Sequence, residues 1–229
     1  MTRVLLFALL LAVVALPALA DFEAGVAAYR DGDYEQAARL FREAALAGDG
    51  GAQFNLGLML SYGQGVPQDD AEAVKWWRLA AAQGHALAQN NLGIMLALGQ
   101  GAEPDEAEAV RWYRAAAMRG HADAQYNLAS MYAAGRGVGR DAALAAAWYR
   151  RAAEQGLAKA QNNLAGAYER GEGVPADPRQ AYYWYLLAAL EGDEKAEQNL
   201  RRLAPRLRAE ERARIERQVE RQRRRQPAL

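Results

Sequence analysis

The sequence contains no cysteine among its 229 residues. A disulfide framework, a thiolate nucleophile and a cysteine-ligated zinc site are therefore all excluded. Histidine is also scarce, since His85 and His121 are the only two, and they occupy equivalent positions of a repeating pattern. We interpret both as helix-terminus residues rather than as metal ligands or general bases, because no His-x-x-x-His spacing accompanies them.

The chain has no net charge, but the zero total conceals two opposite charges. From Lys195 to the C-terminus the balance is +7, and from Met1 to Glu194 it is −7. The acidic residues interleaved in the basic tail favour a solvated terminal helix and not a nucleic-acid binder. Peripheral association of this tail with an anionic envelope surface remains an alternative.

Only one long apolar run is present, from Val4 to Leu16. It follows Arg3 and precedes Ala18-Leu19-Ala20, which has the small–x–small pattern of a signal-peptide cleavage site. The run is short for a membrane span, which needs about 20 residues. Residues 1–20 are therefore predicted to be a secretory signal peptide, with a periplasmic or secreted mature chain that begins at Asp21. An uncleaved N-terminal anchor is the alternative.

A period of 36 residues runs through the remainder of the chain. It is clearest in a column of asparagines, each followed by leucine: Asn55, Asn91, Asn127, Asn163 and Asn199. Glycine, aspartate, alanine and tryptophan recur in the same register, for example at Gly63, Gly99, Gly135 and Gly171, and at Trp76, Trp112, Trp148 and Trp184. Several columns in one register indicate tandem structural repeats.

Each column predicts a part of a helical hairpin. The Gly63-x-Gly65 pair favours the left-handed backbone that ends a helix. Asp69 is suited to cap the next helix, and Glu72 stands where it would complete a capping box. The stripe from Ala73 to Ala81, which includes Trp76 and Trp77, has the apolar spacing of a helix that faces a core. The fold class predicted is all-α.

Small residues in the first helix indicate close packing. Gly57 and Gly93 occupy one frame position, and Ala129 and Ala165 fill it in later repeats. We expect this position to contact the paired helix of the same hairpin, because glycine within a helix is otherwise unfavourable.

The motifs resemble the Sel1-like repeat, a relative of the tetratricopeptide repeat with a longer loop. The similarity is carried by the segments Ala52-Gln53-Phe54-Asn55-Leu56-Gly57, Gly63-Gln64-Gly65-Val66-Pro67 and Ala73-Val74-Lys75-Trp76-Trp77. The resemblance implies a right-handed α-solenoid. It divides the chain into a tetratricopeptide-like capping repeat at 21–49, Sel1-like repeats at 50–85, 86–121, 122–157 and 158–193, and a C-terminal capping helix with a basic tail at 194–229.

The resemblance also implies a function, namely that of an extracytoplasmic scaffold or adaptor that binds a protein or peptide. No catalytic residue and no cofactor are predicted. A secreted enzyme is the alternative, since some relatives with cysteine-rich repeats bind or hydrolyse β-lactams, but this chain lacks their cysteine pairs. A purely structural spacer is a third interpretation. The oligomeric state is left open.

The binding surface implied by the resemblance is the groove lined by the first helices of the hairpins. In that groove an asparagine ladder could pair with a peptide backbone, since each amide both donates and accepts. Neighbours one helical turn further on would add specificity. The predicted groove residues are Asn55, Asn91, Asn127, Asn163, Leu58, Ile94 and Ser130, with Asn199 and Gly166 extending the two series. The alternative is that each asparagine bonds within the array and only sets the stacking.

Export generates the first testable prediction. Because Ala18-Leu19-Ala20 follows the apolar run, intact-mass measurement of the exported protein should give an N-terminus at Asp21. A mature chain that retains Leu5 to Leu16 would contradict this and support an anchor.

Overall fold

The computed structural model describes residues 22–225, with side chains through Arg224. These residues fall into two compact units, divided between Arg119 and Gly120. Within the described range all regular secondary structure is helical, which confirms the all-α prediction, and none of the helices is long and apolar enough to cross a membrane. The predicted signal segment, residues 1–20, lies outside the described residues.

The first unit contains six helices in its described part. They are α1 (described over 22–30), α2 (Tyr34–Leu46), α3 (Gly50–Tyr62), α4 (Asp70–Ala82), α5 (Ala86–Leu98) and α6 (Glu106–Met118).

The second unit contains another six helices over residues 120–225, together with a short 3₁₀ turn. They are α7 (Ala122–Ala134), α8 (Ala142–Glu154), α9 (Ala158–Arg170), α10 (Pro178–Leu190), α11 (Glu194–Leu203), the 3₁₀ turn Ala204–Arg206, and α12 (Ala209–Arg225).

Each 36-residue repeat forms one helical hairpin. The pairs α3–α4 and α5–α6 pack together in the first unit, and α7–α8 and α9–α10 in the second. Successive hairpins also pack within each unit, through α4 with α5 and through α8 with α9. A single hairpin cannot cover its own apolar face, so stacking supplies the core. The α-solenoid class predicted from the repeats is thereby confirmed.

The two glycines of each loop have different roles. Gly63 ends α3 in the left-handed conformation, with φ 66°. Gly65 also has a positive φ, of 68°, and a Cβ there would lie 2.3 Å from the carbonyl carbon of Tyr34. The second glycine thus lets the loop lie against the start of the preceding repeat's second helix, as Gly101 does at Asp70.

The aspartate column caps the second helices as predicted, but the reciprocal half of the capping box is wrong. Asp69 Oδ1 accepts from the Glu72 amide at 2.8 Å, whereas the Asp69 amide donates to the Leu60 carbonyl in α3. The Glu72 carboxylate is therefore available to accept from Trp76 Nε1 and to pair with Arg42. The next repeat has the same partners. The Asp105 amide donates to the Leu96 carbonyl while its carboxylate caps the helix at Glu108, and the Glu108 carboxylate accepts from Trp112.

The aromatic stripe is only partly core. One column is fully buried, namely Phe41, Trp77, Tyr113, Tyr149 and Tyr185. In the neighbouring column Trp76, Trp112 and Trp148 are partly buried, and Trp184 alone is buried. The prediction that the whole stripe is core therefore holds only in part for three tryptophans. Two of them donate their indole N–H to a glutamate four residues earlier in the same helix, in part-buried contacts.

The glycines inside the first helices lie against the paired helix, which confirms the close-packing expectation. A Cβ at Gly93 would lie 2.6 Å from Cε1 of Tyr113 in α6. At Gly57 it would lie 2.6 Å from Cδ1 of Trp77 in α4. These distances exclude a larger side chain unless the aromatic ring moves.

The polar terminal helix α12 packs against α10 in the second unit. Its few apolar positions, Ile215 and Val219, are buried, as is Leu207 just before it. The 3₁₀ turn over Ala204–Arg206 contains Pro205, which has no backbone N–H to continue the helix. The capping helix within 194–229 therefore covers apolar surface with an otherwise charged exterior.

A second N-cap column starts the first helices of the repeats. Its members are Asp49, His85, His121, Leu157 and Asp193, and all but Leu157 accept a hydrogen bond from the amide three residues on. His85 Nδ1 accepts from Ala88 at 3.3 Å, and His121 Nδ1 from Ala124 at 3.2 Å. The interpretation of both histidines as helix-terminus residues is confirmed. Burial lowers the pKa of His85, which favours the neutral form that can accept this bond.

Leu157 is therefore an uncapped helix start that can be repaired. Leu157→Asp should raise the free energy of unfolding by about 0.5–2 kcal/mol, because a carboxylate there can accept from the first turn of α9. Urea denaturation measures the change. Leu157→Ala is the matched control, since it removes the leucine without supplying an acceptor; equal stability of the two variants would contradict the prediction.

Candidate functional site

The second unit contains a pocket of about 260 Å³ on the face of α9 and α11 that bears asparagines. We call it the Gly166 pocket. Its walls come from α8, α9, α10 and α11 and from the loop after α7. The lining residues that bear on function are Arg140, Tyr149, Asn162, Asn163, Gly166, Arg170, Glu172, Tyr185 and Asn199.

One wall of the Gly166 pocket is a hydrogen-bonded cluster around Tyr149. Its hydroxyl lies 3.0 Å from Ser130 Oγ and also bonds to the side chain of Asn163. Ser130 in turn donates to the Tyr126 carbonyl at 3.0 Å. Burial raises the pKa of Tyr149, so its hydroxyl stays protonated at neutral pH.

The opposite wall is organised by Glu169. Tyr185 donates its hydroxyl proton to Glu169 at 3.0 Å, and Arg202 donates to the same carboxylate at 2.6 and 2.8 Å. The Arg202 hydrogen bond lowers the pKa of Glu169, whereas burial and the nearby carboxylate raise the pKa of Tyr185 to about 12. Glu169 is thus an ionised structural anchor whose charge is balanced by arginine.

Two arginines line the Gly166 pocket, Arg140 from the loop after α7 and Arg170 at the end of α9. Arg170 pairs with Glu172 at 2.9 Å, but both side chains are about half exposed or more. Exposed pairs of this kind contribute little free energy and exchange partners readily. The pocket therefore presents two guanidinium groups and one carboxylate.

The lack of a side chain at Gly166 makes room for another residue in this pocket. Its frame position carries Leu58, Ile94 and Ser130 in the preceding repeats. A Cβ on Gly166 would meet Arg170 Nη1 at 3.0 Å and the Tyr185 hydroxyl at 3.5 Å. The place that a side chain takes in the earlier repeats is thus occupied by the end of Arg170 in the fourth, which brings this guanidinium into the pocket.

The predicted asparagine ladder is not uniform. Asn55 donates to the Gly51 carbonyl of its own helix at 3.0 Å, whereas Asn163 bonds to Tyr149 and Asn199 donates to Asn162 at 3.1 Å. Asn127 also has a partner within the chain. All five are half-buried, so each keeps a surface that a ligand can reach.

The structure brings only some of the predicted groove residues together. Asn163, Asn199 and Gly166 line the Gly166 pocket, and Ser130 adjoins it through Tyr149. Asn127 lies on α7 of the same unit, at the frame position of Asn163. The remaining members lie in the first unit, on α3 and α5: Asn55, Leu58, Asn91 and Ile94.

Sequence reasoning missed a buried glutamine column. Gln53, Gln89, Gln125 and Gln161 are 3–4% exposed. Gln53 Nε2 donates to the Ala45 carbonyl at 3.1 Å, and Gln89 Nε2 to the Ala81 carbonyl at 3.0 Å. The signal was the same 36-residue recurrence that marked the asparagines, but a glutamine offers no reason to expect burial until its partner is known.

Metal chemistry has no candidate centre in the described part of the chain. Among residues 22–224, no three histidine or carboxylate side chains come together in an arrangement that could hold an ion. The two histidines belong to helix caps in different units.

Comparison with known proteins shows which repeat family the chain belongs to. A family model for the Sel1 repeat matches residues 19–49, 51–85, 86–121, 122–157 and 158–193. The chain belongs to the Sel1 repeat family. The first matched segment is the one interpreted from sequence as a tetratricopeptide-like cap, and it differs from the other Sel1 repeats in its short turn at 31–33.

Two solved structures share both fold and sequence with this Sel1 repeat protein. A protective antigen of uropathogenic Escherichia coli strains is 37% identical with a TM-score of 0.77; the match covers 80% of this chain and 40% of that protein. A Sel1 repeat protein of Oxalobacter formigenes is 36% identical with a TM-score of 0.74, covering 80% of this chain and 74% of the other. The chain thus spans less than half of the Escherichia coli protein. No curated protein matches it in sequence.

Membership of the Sel1 family carries a general function. Sel1 repeat proteins generally mediate protein–protein interaction, and the scaffold is typically non-enzymatic.

The unequal bonding of the asparagines generates a prediction. Asn163→Ala should lower the free energy of unfolding by about 0.5–1.5 kcal/mol, because it removes a partner of the buried Tyr149 hydroxyl. Asn55→Ala should change it by less than about 0.5 kcal/mol, since alanine's helix propensity offsets the bond to Gly51. Chemical denaturation of both variants tests the difference, and equal losses would show that the column acts as one structural ladder.

Proposed function

We propose that this chain is an exported scaffold that binds a segment of a protein partner against the asparagine-bearing face of its second unit. One side chain of that segment enters the Gly166 pocket. The half-buried amides of Asn163 and Asn199 offer donors and acceptors to the backbone of the segment. A side chain of moderate size fits the volume of about 260 Å³.

The observation that carries the proposal is that a glycine and two arginines found in no equivalent position of the other repeats meet at one pocket. Gly166 stands where earlier repeats have Leu58, Ile94 and Ser130. Two arginines at variable positions line the same pocket: Arg140, where other repeats have Gln68 and Pro104, and Arg170, where they have Tyr62, Leu98 and Ala134. These positions do not serve stacking, since Tyr62 and Leu98 are largely exposed. Two arginines that meet beside Gly166 at one pocket therefore support a role in binding.

The charge of the pocket favours an acidic or hydrogen-bond-accepting side chain in the partner. Arg140 and Arg170 supply planar donor groups, and Glu172 already engages one of them through an exposed and exchangeable pair. An incoming carboxylate can replace Glu172 and accept bidentate hydrogen bonds from Arg170.

Export is part of the same proposal and depends on residues 1–20 alone. The positive residue, apolar run and small–x–small pattern favour delivery to the periplasm or beyond. The partner is then a protein of the cell envelope or of the exterior.

Filling the pocket tests the proposal. Gly166→Ile installs the residue found at the equivalent position of α5, and removal of a helical glycine should keep or raise stability, by up to about 1 kcal/mol. We expect the variant to fold and to lose a partner that the wild-type chain captures from envelope extract. Quantitative mass spectrometry of the captured proteins is the measurement.

Leu58→Ile is the matched control, because it changes the same frame position in the first unit and leaves the pocket intact. The partner is a protein retained by wild type and by Leu58→Ile and lost by Gly166→Ile. A folded Gly166→Ile protein that captures an unchanged set would refute the role of the pocket.

A further inference from the structure

A second cleft lies elsewhere in the second unit, between the end of α8, the start of α9, α10 and the terminal helix α12. Its volume is about 1160 Å³, and we call it the terminal cleft. The lining residues that bear on its chemistry are Glu154, Gln161, Leu186, Leu187, Leu190, Glu191, Glu216, Val219, Glu220, Arg223 and Arg224.

A buried acceptor without a donor belongs to this lining. Gln161 is 3% exposed, and its Nε2 donates to the Ala153 carbonyl at 3.1 Å. Its Oε1 has no hydrogen-bond partner. A buried acceptor in this state is unfavourable, and a ligand N–H that reached it would remove the penalty.

In two other repeats the equivalent glutamine oxygen accepts a hydrogen bond from another glutamine. Gln83 Nε2 donates to Gln53 Oε1 at 2.8 Å, and Gln155 Nε2 donates to Gln125 Oε1 at 2.8 Å. In both cases the donor lies 30 residues after the acceptor. The residue 30 positions after Gln161 is Glu191, whose carboxylate has no N–H to give.

The exchange of glutamine for Glu191 places a negative charge beside an unsatisfied acceptor. Glu191 is about half exposed, and its nearest cation, Arg223, lies 3.8 Å away in an equally exposed pair. Such a pair is weak and easily displaced. One charged and one neutral acceptor therefore line the same cleft, and Glu191 stands at the position that supplies the donor in two other repeats.

The charged residues that line the terminal cleft are mostly acidic. The terminal cleft is lined by four glutamates and two arginines. Glu220 is paired with Arg224 at 2.5 Å, and Glu216 accepts from the Tyr182 hydroxyl at 2.9 Å. The net charge of the lining is negative, which attracts a cation.

The remaining walls are apolar. Leu186, Leu187 and Leu190 come from α10, and Val219 comes from α12. Leu190 is 44% exposed, so part of this apolar surface is open to solvent. Arginine and lysine bury their methylene chains on such surfaces while their charged ends reach polar groups.

We propose that the terminal cleft binds an arginine or lysine side chain presented by a segment of a partner protein. The cationic head donates N–H groups to Gln161 Oε1 and to the Glu191 carboxylate, and the alkyl chain lies along Leu186 and Leu190. This site is separate from the Gly166 pocket and does not depend on the proposed function.

Gln89 in the first unit has the same unpaired oxygen as Gln161, but a different residue 30 positions later. Gln89 Oε1 is also buried without a partner, and the residue 30 positions later is Arg119. That frame position is cationic, so it repels the ligand that Glu191 attracts. An orphaned glutamine oxygen is therefore not sufficient; the cation site requires the carboxylate as well.

The test uses the full chain and two short peptides. The probe is acetyl-Leu-Arg-Leu-amide, and its control is the same peptide with citrulline, which keeps the shape and removes the charge. Isothermal titration should show the arginine peptide binding about tenfold or more tightly than the citrulline peptide, as expected for charge-assisted hydrogen bonds. A lysine version of the peptide distinguishes the two cationic side chains.

Glu191→Gln is the decisive variant, because it restores the residue of Gln83 and Gln155. It should raise the midpoint of urea unfolding, since the new amide can donate to Gln161, and weaken the arginine peptide about tenfold or more. Arg119→Gln makes the equivalent repair at Gln89 and should leave peptide binding unchanged, as should Gly166→Ile. Arg223→Gln should strengthen binding, because it removes the competing cation.

Three results would overturn the proposal. One is equal binding of the arginine and citrulline peptides, and another is unchanged binding to Glu191→Gln. The third is a Glu191→Gln protein less stable than wild type, which would show that this position does not reach Gln161. Self-association of the wild-type chain that Glu191→Gln abolishes would instead assign the cleft to a second copy.

Discussion

The junction between successive hairpins depends on one buried hydrogen bond. Within each unit, a glutamine near the start of a first helix donates to a carbonyl in the last turn of the preceding second helix, as Gln53 does to Ala45 and Gln161 to Ala153. The same carbonyl also accepts from the amide of the turn glycine that follows it, Gly48 or Gly156, so the glutamine adds a second bond to it. This bond satisfies the buried amide of the glutamine and ties the start of one hairpin to the end of the hairpin before it.

The packing between helices also restricts which residue types can occupy the core positions of each repeat. Leu56, Leu92 and Leu128 are fully buried, and alanine or glycine lies wherever an aromatic ring of the paired helix approaches. Function is then free to appear only where a frame position can change without loss of stacking. The two sites proposed for this chain lie at such positions: Gly166, which lacks the side chain of the other repeats, and Glu191, which has an acceptor where two other repeats have a donor.

Predictions from sequence succeeded where a residue acts on its own backbone. Gly63 adopts the left-handed conformation and Asp69 caps a helix because both effects are local. They failed where a partner from another element competes. Glu72 was expected to complete a capping box, but the Leu60 carbonyl takes the Asp69 amide, and Trp76 and Arg42 take the carboxylate. Trp76 was expected in the core, yet it is only partly buried, and its indole N–H donates to that same glutamate.

By itself, the sequence determined the repeat length, the helical class, the turns and the caps, because each follows from a periodicity or from the local preference of one residue type. It also located the asparagine face, though not the different partners of Asn55, Asn163 and Asn199. Only the tertiary structure decided which glutamine oxygens are satisfied and where space is left open. Both depend on residues 16 to 37 positions apart, which meet either when a hairpin closes, as Glu169 meets Tyr185, or when the next helix packs against it, as Asn162 meets Asn199.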